Sequence, residues 1–93
     1  MGLTFEWDRR KAAANLQKHG VSCEEASSVV GDPLSVTVAD PDHSVREMRF
    51  VTVGRSRTGR ILAVVLVERG DSLRVISARL ATRREMRGYE QGA

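Results

Sequence analysis

The sequence predicts an α+β fold: a small twisted antiparallel β-sheet with two N-terminal helices and one C-terminal helix packed on it, in the order β-α-α-β-β-β-β-α. Three observations lead there. Polar caps and a glycine stop delimit two short helices in the first third of the chain. Four apolar or alternating runs then follow one another across short turns, and connections that short favour antiparallel neighbours. A chain of 93 residues holds one modest core, which a sheet layered with helices can fill, so residues 1–93 are expected to form a single domain.

Taken in order, Leu3 to Trp7 reads as a short strand, and Asp8 is a good N-cap for a helix running to about His19, with Gly20 as its C′ residue. Ser22 and Glu25 have capping-box spacing ahead of Ala26, Val29 and Val30, and Gly31-Asp32-Pro33 stops this second helix. Leu34 to Val38 alternates as a strand, Asp40-Pro41-Asp42 reads as a turn, and Glu47 to Arg55 makes the next strand. Arg57 to Arg60 is a turn. Ile61 to Glu68 is a continuous apolar run of the kind buried on both faces, and Gly70-Asp71 turns into Leu73 to Arg79. Thr82 and Glu85 form a second capping box, which starts a last helix from Arg83 to about Glu90. The tail Gln91-Gly92-Ala93 is expected to fray.

Composition excludes several function classes. A single cysteine, Cys23, allows no internal disulfide and no cysteine-based zinc site, and the first residues lack the apolar stretch of a signal peptide, so a cytoplasmic location is expected. The longest apolar run is far below the roughly 20 residues of a membrane span, and no membrane partner is expected. The net charge of +3 hides an asymmetry: residues 1–45 carry four basic and seven acidic side chains, residues 46–93 eleven arginines and five acids. Arginine outnumbers lysine 13 to 2, and its planar fork suits phosphate. Base composition of a genome can bias arginine over lysine, but it does not gather the charge in one half. An anionic partner is the economical reading.

Two constellations could carry chemistry. On the first helix Asp8, Lys11, Asn15 and His19 fall within about 80° of one another with Lys18 beside them, and Leu16 is the one large apolar residue. Such a helix must lie close to the sheet and present a polar stripe, unless these residues only cap, complement the helix dipole and meet solvent. In the C-terminal segment Arg79 ends a strand and Arg83 and Arg84 open the helix after it, the place where backbone N–H groups attract phosphate. Glu85 and Tyr89 share a face four residues apart, an acid/base candidate beside an aromatic able to stack on a base, although Glu85 could serve as the cap alone and Tyr89 as cover for the sheet. Arg49 would point inward with Val51 and Val53 if that face is the core. His43 reads as a surface residue. His19, His43 and the scattered carboxylates match no compact metal-ligand spacing, and there is no glycine-rich phosphate loop, so neither a metal nor a cofactor is expected.

The run Trp7-Asp8, Lys11, Asn15, Lys18-His19-Gly20-Val21, Ala26, Asp32-Pro33, Arg49-Phe50, Gly54, Ile76-Ser77-Ala78-Arg79, Ala81, Glu85 and Tyr89 resembles the BrnT toxins of bacterial type II toxin–antitoxin modules. The resemblance covers nearly the whole chain. One departure is Cys23, where an aromatic is expected. The resemblance implies a RelE-like fold, a ribonuclease that stops translation, and a BrnA-type antitoxin with a ribbon-helix-helix domain, through which operator DNA is met only indirectly. Its polar positions fall on Lys11, Asn15, Lys18, His19, Arg79 and Glu85.

These readings combine into a metal-independent endoribonuclease. Lys11, His19, Arg79 and Glu85 are the expected catalytic residues; Asn15, Lys18, Arg49, Arg83 and Tyr89 are expected to bind RNA, with Trp7 or Phe50 as further stacking candidates. Arg79, Arg83 and Lys11 would hold the scissile phosphate, while Glu85 or His19 serves as base and the other, or a lysine, as acid. The alternatives are a non-catalytic RNA- or DNA-binding module and a basic interaction protein.

Overall fold

The structure, a computed structural model, describes residues 4–40 and 48–92. Its elements are β1 (Thr4–Glu6), α1 (Arg9–His19), α2 (Cys23–Val30), β2 (Val36–Ala39), β3 (Arg49–Arg55), β4 (Ile61–Arg69), β5 (Ser72–Leu80) and α3 (Arg83–Gln91). The order is the expected one. Pro41, Asp42, His43 and Glu47, together with Leu3 and Ala93, lie outside the described residues.

The five strands form one sheet in the order β1-β5-β4-β3-β2. The sheet is mixed rather than wholly antiparallel, because β1 runs parallel to β5 through the pairs Thr4–Ser72, Phe5–Leu73 and Glu6–Arg74. Helices α1 and α2 are the connection that makes this possible: they carry the chain off one edge and β2 starts at the other. The β2–β3–β4–β5 meander is antiparallel throughout. Leu34 stays out of the ladder, 70% exposed, because Asp32 holds it in the turn after α2 by accepting its backbone N–H at 2.9 Å.

The expected double burial of the central strand is observed, with Leu62, Ala63, Val64, Leu66 and Val67 all buried. Strand alternation assigns the two faces. On one, Val64, Leu66, Val75 and Ala78 meet Val21, Ala26 and Val29 to make the core, with Trp7, Val30 and Leu73 at its margin. On the other face lie Arg49, Val51 and Val53 of β3, Ala63, Val65 and Val67 of β4, and Arg74, Ser77 and Arg79 of β5, in register with one another. Helix α3 packs on this second face over β3. Gly54 belongs to the core side, where a Cβ would come within 3.0–3.2 Å of Ser35, Asp32 and Val29, so the close approach of α2 to β3 requires glycine.

Helix boundaries follow their caps. Asp8 accepts from the backbone N–H groups of Arg10 and Lys11, and Gly20 ends α1 at φ +69°, a left-handed conformation that favours glycine. Ser22 accepts from the Glu25 N–H at 3.1 Å, but the Glu25 carboxylate does not complete the expected box. It is turned inward toward the β3–β4 turn. At α3 both halves of the box are present.

Candidate active site

The capping box of α3 sits directly after β5, so the last arginine of that strand and the third residue of the helix are brought face to face. Arg79 donates through both terminal nitrogens to the two oxygens of Glu85, at 2.7 and 3.1 Å. Glu85 also accepts the Thr82 backbone N–H at 2.9 Å. Arg79 first, then the Thr82 N–H, holds the Glu85 carboxyl below its ordinary range against the opposing effect of partial burial. The same pair raises the Arg79 guanidinium. At neutral pH the site therefore contains a carboxylate that accepts protons and a fork-shaped cation beside it, at a helix N-terminus suited to anions. The same Glu85 oxygen completes the cap and accepts one of the two Arg79 hydrogen bonds.

The polar stripe of α1 is only partly what its spacing suggests. Asn15, expected to bind RNA, is 7% exposed and its amide is turned inward. Its amide donates to Val21 O at 3.2 Å and Ala78 O at 2.9 Å, while its oxygen accepts from Ala78 N at 3.1 Å. Among the described residues β1 pairs with β5 at 72–74 and no strand lies beside the β5 edge at Ala78, where Asn15 supplies the two-point contact a strand would make. This fixes α1 beside the residue that precedes Arg79. Lys11 and Lys18 remain exposed and His19 half-buried, within about one helical turn of Asn15. None of the three shares a hydrogen bond with Arg79 or Glu85. The structure thus brings Arg79 and Glu85 together and leaves the α1 cations along the adjoining edge.

The other expected residues distribute unevenly. Arg83 is exposed at the start of α3. Tyr89 donates its hydroxyl to Asp32 at 2.7 Å, which ties down one end of the ring. Together with Val36, Val38, Val53, Arg84 and Glu85, it lines a groove of about 220 Å³ between β2 and α3. Trp7 and Phe50 lie on the core side of the sheet and offer no stacking surface near Arg79. Arg49 is on the Arg79 side but lies in the row of Val67 and Arg74, whereas Arg79 lies in the row of Ala63 and Val53. Four residues along and two strands across place it about 16 Å away. Among the described residues no three His, Cys, Asp or Glu side chains converge as metal ligands, and no helix is long and apolar enough to cross a membrane.

A network that sequence reasoning missed supports the end of the sheet. Glu25, 6% exposed, accepts from Ser56 at 2.7 Å, from Thr58 at 2.5 Å and from Arg60 through two nitrogens, while Arg60 also donates to Gly20 O at 2.8 Å. The one signal in the sequence was the cluster Ser56, Thr58 and Arg60 at alternate positions around a turn.

Fold and site define a small α+β protein that carries arginines of β3 and β5 on one sheet face, beside the start of α3. Residues 7–85 match the family model described as the ribonuclease toxin BrnT of type II toxin–antitoxin systems. The crystal structure of the Brucella abortus ribonuclease toxin BrnT is similar to this chain with a TM-score of 0.60 and 25% sequence identity, over 87% of this chain and 99% of that one. A comparison with curated protein sequences gives no match. The chain belongs to the BrnT family of toxins of type II toxin–antitoxin systems.

Proposed function

We propose that this chain is a metal-independent endoribonuclease that acts in the cytoplasm, inhibits translation by cleaving RNA, and is neutralised by a ribbon-helix-helix antitoxin of the BrnA type that alone contacts operator DNA. The observation that carries the reading is the bidentate Arg79–Glu85 pair at the start of α3. Metal-free cleavage of RNA needs a base for the ribose 2′-OH, cations for the phosphorane and an acid for the 5′-oxygen. Glu85, held as a carboxylate, suits the base and not the acid. It takes the 2′-OH proton as that oxygen attacks phosphorus. Arg79 turns one or both nitrogens from Glu85 to the non-bridging oxygens, with Arg83 and Lys11 adding charge. His19 or a lysine of α1 protonates the departing 5′-oxygen, leaving a 2′,3′-cyclic phosphate and a 5′-hydroxyl.

The test is cleavage of total RNA in excess EDTA by wild type, Arg79→Ala and Glu85→Gln. Wild type should cleave, Arg79→Ala should lose about 10²–10³-fold and Glu85→Gln about 10²–10⁴-fold while staying folded, because glutamine still serves at the third position of the box. RNA that is bound but intact would favour the non-catalytic binding module. RNA that is ignored would favour the basic interaction protein, and activity that returns only with Mg²⁺ would overturn metal independence.

A further inference from the structure

Arg74 and Arg79 are five residues apart on β5, and in a regular strand an odd separation puts two side chains on opposite faces. Here they share a face. The ladder between β4 and β5 slips once: Val65 pairs with Ser77 and Leu66 with Val75, so Ile76 is an extra residue, and Arg79 and Arg74 pair with Ala63 and Val67, which are four apart. The bulge re-aims Arg74 onto the surface that carries Arg79, a use to which bulges beside functional sites are put. In register with Arg74, one strand beyond Val67, stands Arg49. Val67 is 3% exposed between the two arginines, and among the described residues Arg74 Nε is buried with no hydrogen-bond partner, with Glu6 Oε1 at 3.9 Å. A buried, unbonded guanidinium N–H is costly unless something accepts from it.

We propose that Arg74, with Arg49 across Val67, forms a second phosphate-binding position on the sheet face, so that single-stranded RNA runs along β5 from Arg79 toward Arg74. This rests on the ribonuclease reading for its ligand. Four residues of strand separate the two rows, about 13 Å, which is the reach of about four stacked nucleotides. A short substrate fills only the Arg79 end, and a longer one reaches both. Glu6 is the competitor that Arg74 leaves when phosphate arrives.

Binding is measured with fluorescent 2′-O-methyl RNA, a dinucleotide and a hexanucleotide, whose blocked 2′ oxygens make the measurement independent of cleavage. Arg74→Ala should weaken the hexamer about tenfold at low salt, leave the dinucleotide unchanged and reduce the slope of log K against log salt by about 0.7. Glu6→Gln should tighten the hexamer about two- to threefold, a gain that loss of packing cannot produce. Equal effects on both lengths, or an unchanged hexamer in Arg74→Ala, would overturn the proposal. Should Arg74→Ala fail to fold, unchanged hexamer binding by Glu6→Gln would overturn it alone. If both length-dependent effects hold while RNA is never cut, the track stands and the ribonuclease reading falls.

Discussion

Glu25 shows how one buried carboxylate can join three parts of a chain. The Arg60 guanidinium is the main reason its carboxyl is lowered to about 2, opposed by burial and assisted by the hydroxyls of Thr58 and Ser56. An unfolded glutamate titrates near about 4.3, so the folded state binds this proton less readily than the unfolded one. Its stabilisation is therefore complete above about pH 5 and is lost as pH falls from there toward about 2. Thermal unfolding followed between pH 7 and 2 should show that loss in wild type and a flatter profile in Glu25→Gln. Arg60→Ala, which strands the carboxylate and frees Gly20 O, should cost about 3 kcal/mol in chemical denaturation. A change near zero would mean that Ser56 and Thr58 hold Glu25 unaided.

At the scale of elements, α3 matters most, since it carries Glu85 yet buries none of its residues. It is fixed at both ends by polar contacts: Arg79–Glu85 at the start and Tyr89–Asp32 near the end. Asp32 is itself held by the N–H groups of Arg55, at 2.8 Å, and Leu34, with Tyr89 third among the causes that lower its carboxyl. Tyr89→Phe keeps a stacking ring and removes the tether. It should lower stability by about 1 kcal/mol and slow RNA cleavage by less than Arg79→Ala does, because the helix end loosens while the reacting groups remain. Unchanged stability and cleavage would show that the tether is idle. These elements were legible where their signals are local: Asp8, Gly20, Ser22 and Thr82 mark helix ends within four residues, and Arg79 stands out as a cation at a strand end before a helix N-terminus and Glu85 as an acid on the face of Tyr89, although their mutual ion pair was not read. Pairing of β1 with β5, the Ile76 bulge and the inward turn of Glu25 and Asn15 were not legible. Each depends on a partner more than 30 residues away or on a slip that leaves no trace in composition. The same reason separates the two halves of the candidate site, since a helical wheel locates Lys11 and His19 on α1 but not α1 against the sheet.

At the scale of the whole molecule, the charge asymmetry acquires a location. The C-terminal half supplies β3, β4, β5 and α3, so four of its eleven arginines, Arg49, Arg74, Arg79 and Arg83, fall on one sheet face and its covering helix, while α1 and α2 close the other and Arg60 turns to Glu25 there. Asn15 bears on a different property of this architecture. A side-chain amide, and not a strand, ends the sheet at Ala78. Removing it leaves a paired donor and acceptor pointing outward from an otherwise regular strand, which is the template on which a second chain can add. Asn15→Leu, close in volume, should therefore do more than lose about 1–3 kcal/mol per orphaned group. It should turn a self-limited sheet into one that grows, seen as concentration-dependent dimers and larger species in light scattering. A variant that is weakened but stays monodisperse would show that α1 seals the edge by bulk alone. On this view the amide that looks like a substrate contact is what keeps each toxin molecule separate from the next.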